Sequence, residues 1–500
     1  MQQACNTKLH YISSVLSLFN YLTLLSTKIL FLIQFILNRD SVETDLPPGT
    51  LLLDYIRYHA GLKGTKIGCR EGDCGACTIL VGELENDTLI YKSVTSCLMP
   101  IGNARNRHIV TIEGINAESL TPVQQCFADE GATQCGFCTP GFIVSLTGYC
   151  LNEKVAEYEG ARKSIDGNIC RCTGYKSIER AVSVLNNMLK LGDDISLRSS
   201  VVQGIVPPYF LEIENRLQLF EDRQREFSGR TAKIVGGGTD LYVQKHEAMI
   251  DADIHFIYER KKATSIIVND GHCEIAGTAT VSDLAMSAIF RERFSGFDKY
   301  VKLISSTQIR NMATIAGNFC NASPIGDLTI FFLSLNAYLS ISNGSSKRTV
   351  ALRHFYKAYK VIDLLPGEFV ESISFRLPVS KSQFNFEKVS KRTHLDIASV
   401  NTAIYLEMEG NTIVVAGLSA GGVGPIPLFL HTSCDFLEGK DLSANVVQEL
   451  IDMVQKEISP ISDARGSAEY KRLLLSQLIK AHFIKCFQTI GFESLITGVA

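Results

Sequence analysis

The chain has 500 residues, of which 46% are hydrophobic and 20% are charged, and its formal net charge is −3. This length exceeds what one ordinary hydrophobic core supports and predicts three or four domains. The small net charge gives no electrostatic basis for binding nucleic acid. Ten of the 15 cysteines lie between Cys69 and Cys172 in closely spaced groups. A secreted disulfide scaffold would spread them along the chain, so we expect metal ligation in a reducing, cytoplasmic compartment.

The first thirty residues are atypical of a globular domain. The run from Tyr11 to Leu37 is apolar with Lys28 as its single charge, and by length it could cross a membrane. It makes a poor secretory signal because it is too long and no small-residue cleavage site follows it. Two alternatives stand: residues 11–37 anchor the protein, or the run ends in the first strand of a soluble domain, Ile33–Leu37, which we favour.

The next stretch has the outline of a β-grasp ferredoxin. Residues 31–45 predict a hairpin, and Thr50 is a candidate N-cap for a helix that begins at Leu51. A cysteine-rich loop follows, and then the strand Thr78–Val81 and a second hairpin near Asn86. A small mixed sheet with one helix is therefore expected.

Helical periodicity begins at Thr121. Three helices are predicted over residues 121–132, 140–153 and 177–191, with Thr, Pro and Gly at their ends. Residues 192–207 are polar without a strong period and predict a linker. Mixed α/β segments follow from Pro208, and a last segment of strands and then helices begins near Phe384.

The first cysteine motif is Cys69-x4-Cys74-x2-Cys77, with Cys97 twenty residues further on. This is the spacing of plant-type [2Fe–2S] ferredoxins. Three thiolates can reach one small cluster from a single loop only if the backbone bends sharply, which the glycines at 68, 72 and 75 permit. Structural zinc sites usually use two separated knuckles instead, so the motif favours an iron–sulfur cluster.

The second motif combines Cys135-x2-Cys138 with Cys170-x-Cys172. Each pair adjoins a glycine and a predicted helix end, so a helical bundle could present four thiolates to one cluster. The pattern alone also suits zinc. After a ferredoxin loop in the same chain, a second [2Fe–2S] cluster is the better interpretation. The other seven cysteines are interpreted as buried apolar side chains.

Two glycine-containing loops suggest a flavin. The first, Lys233–Leu241, is a strand followed by three glycines and Thr-Asp; it is not the G-x-G-x-x-G of a Rossmann NAD site. Consecutive glycines after a strand can still turn N–H groups toward a pyrophosphate. The second, Ala313–Leu328, has small residues at its start and then Asn, Ser and Asp. Each loop alone is weak, but single electrons from iron–sulfur centres commonly pass to a flavin.

At this point the chain strongly resembles the iron–sulfur/FAD subunit of the xanthine dehydrogenase family of molybdenum hydroxylases, from about Ile33 to the C-terminus. The motifs GCREGDCGACTI, QCGFCTPGF, NICRCTGY, IVGGGTDL, TIAGN…SPIGDL, FEKVSKRTHLDIASVN and ISPISDARGSAEYKR carry this resemblance. It implies an α+β multidomain fold. The expected domains are an atypical extension (1–30), a β-grasp ferredoxin (31–113), a helical [2Fe–2S] domain (114–191), a linker (192–207), a vanillyl-alcohol-oxidase (PCMH)-type FAD domain (208–380) and a CO-dehydrogenase-flavoprotein-type C-terminal domain (384–490).

The resemblance also implies roles for particular residues. The first cluster would be held by Cys69, Cys74, Cys77 and Cys97, and the second by Cys135, Cys138, Cys170 and Cys172. The FAD would contact Ile234, Val235, Gly236, Gly237, Gly238, Thr239, Asp240, Leu241, Thr314, Ile315, Ala316, Gly317, Asn318, Ser323 and Asp327. Lys388 would lie near the isoalloxazine ring. Gln134 would face the partner's pterin, although it could equally be an ordinary glutamine at a helix end.

The implied function is half of an enzyme. A molybdopterin-binding large subunit, in a hetero-oligomer such as a dimer of heterodimers, would oxidise a purine-like heterocycle. Electrons would then pass through the two clusters to FAD and on to NAD+. The substrate could also be an aldehyde, nicotinate, another N-heterocycle or carbon monoxide, and oxygen could replace NAD+. A different class, a non-catalytic redox sensor or scaffold with four-cysteine metal sites, is disfavoured because it has no need of the glycine loops.

Overall fold

The computed structural model describes residues 32–86, 88–152, 156–190, 196–220, 232–258, 265–392 and 395–487. The apolar segment 1–30, for which two alternatives were given, lies outside these ranges. Within them, no helix is both long enough and apolar enough to cross a bilayer. The expected α+β multidomain fold class is confirmed, since a mixed sheet, a helical unit and two further α+β units follow one another.

The first unit is a mixed sheet with strand order β2-β1-β5-β3-β4. Its strands are β1 (Ile33–Leu37), β2 (Asp40–Thr44), β3 (Thr78–Glu85), β4 (Thr88–Thr95) and β5 (His108–Val110). Both predicted hairpins form, with Leu37 opposite Asp40 and Glu85 opposite Thr88. The central strands β1 and β5 run parallel, as in a β-grasp sheet.

The helix of this unit begins differently from the prediction. Helix α1 (Leu52–Asp54) continues as a π-helical turn, Tyr55–His59, and the residue that precedes it has no side-chain cap. The prediction that Thr50 caps this helix is therefore wrong. The carbonyl of Thr50 accepts from the N–H of Ile101 at 2.7 Å, which ties the chain to a neighbouring segment just before the helix starts.

The second unit is helical. Its helices are α2 (Ile112–Ile115), α3 (Pro122–Asp129), α4 (Thr139–Asn152), α5 (Tyr158–Ser164) and α6 (Lys176–Lys190). The prediction that Thr121 caps a helix is confirmed, because it exchanges reciprocal hydrogen bonds with Gln124 in a capping box. Helix α4 is buried on all sides, and it contacts both β3 and β4 of the first unit. The two units therefore share a packed interface.

The predicted linker is more ordered than its polar composition indicated. Residues 191–195 lie outside the described ranges, but Ser196 caps the helix α7 (Leu197–Val202). Ile205 and Val206 are each only 1% exposed. The Ser200 hydroxyl donates to the carbonyl of Cys150 in the helical unit at 3.2 Å, so this segment packs on that unit. The linker interpretation is therefore wrong for the described part of the segment.

The third unit contains the two glycine loops and a core rich in phenylalanine. Its strands are β6 (Lys233–Val235), β7 (Ile254–Phe256), β8 (Ile266–Asn269), β9 (His272–Ala276), β10 (Tyr338–Ser342), β11 (Lys347–Ala351), β12 (Tyr356–Ala358), β13 (Val361–Ile362) and β14 (Phe369–Arg376). Its helices are α8 (Ile213–Gln218), α9 (Thr239–Ile250), α10 (Val281–Met286), α11 (Ala288–Arg293), α12 (Phe297–Lys302), α13 (Thr307–Arg310), α14 (Ile315–Cys320), α15 (Asp327–Ser334) and α16 (Leu352–Phe355).

These strands form one antiparallel sheet, in the order β11-β10-β14-β9-β8, and the small pairs β6-β7 and β12-β13. The pair β6-β7 is parallel, and the first glycine loop leaves the end of β6. A group of contacting aromatic rings fills the space beneath the larger sheet, including Phe290, Phe294 and Phe331.

The fourth unit follows the predicted order of strands and then helices. It consists of the antiparallel sheet β15 (Ser382–Val389), β16 (Val400–Glu409), β17 (Thr412–Gly421) and β18 (Leu428–Phe429), and of helices α17 (His431–Leu437), α18 (Ala444–Glu457) and α19 (Ala468–Cys486). Its apolar core joins the inner faces of β16 and β17 to α18 and α19.

A buried histidine makes the fourth unit sensitive to acid. His482 is fully buried, and burial lowers its pKa to about 3. Its Nδ1 accepts from the side-chain amide of Asn385 at 2.8 Å, which requires the neutral ring. In the unfolded chain the pKa returns to about 6.5, so the unfolded state binds more protons and stability falls as the pH drops below that value.

We therefore expect the stability advantage of the native protein over the His482→Gln variant to shrink by about 1.4 kcal/mol per pH unit between pH 6.5 and 4. Urea unfolding of the fourth unit, followed at several pH values, measures this difference. A stability difference that stays constant across this range would contradict the neutral, buried state of His482.

Candidate metal and cofactor sites

The first cysteine loop, residues 69–77, is folded tightly enough to bring backbone N–H groups onto its sulfurs. Gly72 and Gly75 have φ values of +80° and +66°, a backbone region that favours glycine. The N–H of Glu71 donates to Cys69 Sγ at 3.3 Å, and the N–H of Cys69 donates to Cys74 Sγ at 3.4 Å. The hydrogen bond with the Cys74 thiol, followed by backbone N–H groups, lowers the pKa of Cys69 to about 5.

The four thiols of the first set come together as two pairs. Cys69 is in hydrogen-bond contact with Cys74, and Cys77 is in hydrogen-bond contact with Cys97. Cys97 follows β4, and the neighbouring Ser96 hydroxyl donates to the carbonyl of Cys77 at 2.7 Å. That bond holds Cys97, which lies outside the cysteine loop, next to Cys77 of the loop.

The second set has the same paired arrangement. Cys135 and Cys172 lie with their sulfurs 3.6 Å apart, and Cys138 is in hydrogen-bond contact with Cys170. Within this set, the Cys135–Cys138 motif leads into α4, and the Cys170–Cys172 motif lies shortly before α6. Thr173 donates to Cys170 Sγ from both its N–H, at 3.4 Å, and its hydroxyl, at 3.1 Å. Two motifs that are well separated in the chain are thus assembled into one site.

These pairs fit a two-iron cluster better than a single zinc ion. Two thiolates that share one tetrahedral metal, each at about 2.3 Å, lie about 3.7 Å apart. The 3.6 Å between Cys135 and Cys172 matches that spacing. Two pairs per set are what two irons with four thiolates need.

The other cysteines lie outside the two sets. Burial raises the pKa of five of them to about 12: Cys150, Cys273, Cys320, Cys434 and Cys486. Burial also raises the pKa of Cys126. Burial of this kind is expected for apolar packing residues, although burial raises the pKa of the proposed ligand Cys138 to about 12 as well. Cys5, the seventh, lies outside the described residues.

The two glycine loops, predicted separately, are in direct contact. A Cβ atom on Gly236 would lie 2.8 Å from Thr314 Oγ1, and one on Gly317 would lie 2.7 Å from the same oxygen. A Cβ atom on Gly237 would overlap the carbonyl oxygen of Met312. Gly238, at a φ of +82°, precedes α9. Such a close approach of two backbone segments suits the pyrophosphate of a dinucleotide.

The remaining predicted flavin residues lie on or next to these two loops. In the first loop, Ile234 and Val235 end β6, and α9 begins with Thr239, Asp240 and Leu241. In the second loop, helix α14 contains Ile315, Ala316 and Asn318. Ser323 precedes α15, and Asp327 is its first residue. Thr314 caps α14 by accepting from the N–H of Gly317 at 3.1 Å. The contact of Gly236 with Thr314 therefore brings the first loop against the start of the second.

Lys388 reaches this set from the fourth unit. Its ammonium lies 2.6 Å from a carboxylate oxygen of Asp327, and its side chain is only 2% exposed. It also donates to the carbonyl of Leu303 at 2.6 Å. The other oxygen of Asp327 accepts from the amide of Asn401 at 2.6 Å. Burial raises the pKa of Asp327, while Lys388 and Asn401 act against that rise.

Several residues at these sites escaped sequence reasoning. Asn103 donates to the carbonyl of Gly236 at 3.0 Å and so ties the ferredoxin unit to the flavin loop. Asn168 donates to the carbonyl of Gly75 at 3.0 Å. Gln308 donates to Asn168 Oδ1 at 2.9 Å. In the sequence, only the positions of two of these residues pointed to the sites: Asn168 lies two residues before Cys170, and Gln308 lies six residues before Thr314.

Comparison with known families gives four domain matches, in the same order along the chain as the four structural units described above. Residues 35–102 match the 2Fe-2S iron-sulfur cluster binding domain, and residues 111–183 match the [2Fe-2S] binding domain. Residues 212–379 match the FAD binding domain in molybdopterin dehydrogenase. Residues 386–486 match the CO dehydrogenase flavoprotein C-terminal domain.

In content and order these four matches are those expected of an iron–sulfur and FAD chain similar to the molybdenum hydroxylases. Xanthine dehydrogenase of Emericella nidulans is 27% identical over 479 residues, which cover 82% of this chain and 35% of the relative. Xanthine dehydrogenase 1 of Arabidopsis thaliana is 27% identical over 530 residues, which cover 87% of this chain and 38% of the relative. This chain thus spans less than half the length of these relatives.

A solved carbon monoxide dehydrogenase from Hydrogenophaga pseudoflava is 23% identical, with a TM-score of 0.49. That match covers 52% of this chain and 91% of the other.

Loss of one cysteine from each set should remove one cluster and spare the other. In Cys74→Ser and in Cys172→Ser, we expect the iron content to fall from about four to about two atoms per chain, because each cluster needs all four thiolates. The buried Cys126→Ser variant is the control and should keep the full iron content. Zinc in place of iron in the native protein would contradict the assignment.

Flavin content should depend on the close approach of the two glycine loops. The Gly237→Ala variant should lose bound FAD, because its Cβ would overlap the Met312 carbonyl and separate the loops. Gly417→Ala is a matched control, since its Cβ would overlap the Ser334 carbonyl, at the opposite end of helix α15 from the predicted flavin residue Asp327. Equal loss of flavin absorbance in both variants would contradict the specific role of the loops.

Proposed function

We propose that this chain is the electron-transfer subunit of a xanthine dehydrogenase-type enzyme. A molybdopterin-binding large subunit would oxidise a purine-like substrate. The electrons would then pass through the cysteine set at 135–172, the set at 69–97 and FAD, with NAD+ as the acceptor. The observation that carries this proposal is the ordered contact of the three sites, from an exposed set through a buried set to the flavin loops.

The exposed end of this series suits a partner. Cys135 and Cys172 are exposed, and so is Gln134. Three large apolar side chains beside them are also exposed: Phe137 by 46%, Ile169 by 42% and Tyr175 by 40%. Exposed apolar and aromatic side chains that cluster around a redox site are typical of a protein interface. We infer that the molybdopterin-binding subunit docks on this face.

The buried end of the series adjoins the flavin loops. Cys77 and Cys97 are only 2% and 1% exposed, and they share an apolar cluster with Val235 and Tyr242 of the third unit. The hydrogen bond from Asn103 to Gly236 crosses the same boundary. An electron that arrives at the first cysteine set therefore has the flavin loops next to its buried half, at Cys77 and Cys97.

The choice of substrate rests on the relatives. The two relatives described above are named xanthine dehydrogenases, and each aligns with more than four fifths of this chain. We therefore propose a purine-type substrate for the partner.

The described cysteines are all free of disulfides, which supports a reducing, cytoplasmic location.

Copurification from the source organism tests the proposal. A tagged chain should bring down a large, molybdopterin-containing polypeptide, and anaerobic NADH should bleach the flavin absorbance. Phe137→Glu should abolish the copurification while iron and flavin contents stay unchanged, because it places a charge on the inferred interface. Leu473→Glu, at another exposed apolar position, should have no effect. A large subunit that still binds Phe137→Glu, or a flavin that NADH never reduces, would contradict the proposal.

A further inference from the structure

Side chains from three units meet at one buried polar site. This three-domain junction consists of Gly75 in the ferredoxin unit, Ser145 and Asn168 in the helical unit, and Gln308 in the FAD unit. Ser145 is 1% exposed, Asn168 is 5% exposed and Gln308 is fully buried. No residue of the junction belongs to either cysteine set or to the predicted flavin residues.

Asn168 is the centre of the hydrogen bonding. Its amide nitrogen donates to the carbonyl of Gly75 at 3.0 Å and contacts the hydroxyl of Thr78 at 3.3 Å. Its amide oxygen accepts from the hydroxyl of Ser145 at 2.8 Å and from Gln308 Nε2 at 2.9 Å. One side chain therefore connects all three units, and buried amides that are satisfied in this way fix local geometry.

The backbone packs closely around this amide. A Cβ atom on Gly75 would overlap the carbonyl oxygen of Gly167, and a Cβ atom on Gly141 would overlap the carbonyl oxygen of Gly75. A Cβ atom on Gly167 would overlap the side-chain oxygen of Gln308. Gly75 therefore meets Gly141 and Gly167 backbone to backbone, whereas Gly167 also packs against the Gln308 side chain.

This packing brings the two cysteine loops within one hydrogen bond of each other. The N–H of Ile169 donates to the carbonyl of Cys74 at 3.0 Å. Ile169 immediately precedes Cys170, so a thiolate ligand of each set adjoins this bond. Electron tunnelling weakens steeply with distance and with gaps between atoms, and a covalent path interrupted by one short hydrogen bond is a favourable connection.

We propose that Asn168 and Gln308 are positioning residues for electron transfer between the two cysteine sets. They hold Gly75 against the Gly167–Ile169 turn and so maintain the bond between Ile169 and Cys74. One electron leaves the second set and arrives at the first, and no covalent bond forms or breaks and no proton moves. This inference rests on the proposed function, because it needs both clusters to be present.

The first test measures the geometry itself, in the full chain with its cofactors. In Asn168→Ala the Ile169 amide should exchange hydrogen roughly tenfold faster, since the loss of a buried hydrogen bond of about 1.4 kcal/mol changes an opening equilibrium by that factor. Gln308→Ala should act in the same direction. Asn186→Ala is the matched control, because Asn186 is 1% exposed in the same unit but lies outside the junction. Unchanged exchange at Ile169 in both junction variants would overturn the proposal.

The second test measures the rate of electron transfer between the two clusters. A one-electron donor generated by a laser flash should reduce both clusters, and their mutual equilibration should slow at least several-fold in Asn168→Ala and in Gln308→Ala. Iron content, flavin content and both midpoint potentials should stay as in the native protein. Equal slowing in Asn186→Ala, or unchanged equilibration despite faster exchange at Ile169, would overturn the proposal. Absence of iron from the native chain would instead refute the proposed function.

Discussion

The pairing of sulfur atoms is the constraint on which the rest of this structure depends. Two irons and four thiolates require two sulfur pairs, each with the spacing of two ligands on one metal. The Cys135–Cys172 distance of 3.6 Å meets that requirement across 37 positions of sequence. The first set presents its two pairs from a single tight loop plus Cys97. The glycines of the loop, the helix starts beside the second set and the close docking of the two units all follow from the need to present these pairs.

The fold also places the two cysteine sets in different environments. The first set is enclosed, with Cys77 and Cys97 almost fully buried, whereas Cys135 and Cys172 of the second set are exposed. Solvent exposure and N–H hydrogen bonds to sulfur tune the reduction potential of such clusters. Two sites of similar ligand type can therefore differ in potential because the fold places them differently. An electron path needs such a difference for direction and needs contact between its sites for speed.

The sequence predicted what is local. The spacing of Cys69, Cys74 and Cys77, the helix cap at Thr121 and the hairpin near Asn86 depend on neighbouring residues, and each has the expected local structure. The Thr50 cap failed because a distant segment, at Ile101, holds the backbone there. Residues 197–206 looked like a linker because their contacts, such as Ser200 with Cys150, are made across the chain. The same limit hid Asn168 and Gln308, whose significance lies in partners 23 to 163 residues away.

One measurement tests the central claim, that two cysteine sets and a flavin site form a single connected series. The complete chain is titrated anaerobically with dithionite and followed by electron paramagnetic resonance and visible absorbance. The structure predicts roughly four electron equivalents per chain, one for each two-iron cluster and two for the flavin. It also predicts that the two cluster signals broaden or split through mutual magnetic interaction when both are reduced. Uptake of two equivalents or fewer, or two cluster signals that never influence each other, would contradict the account.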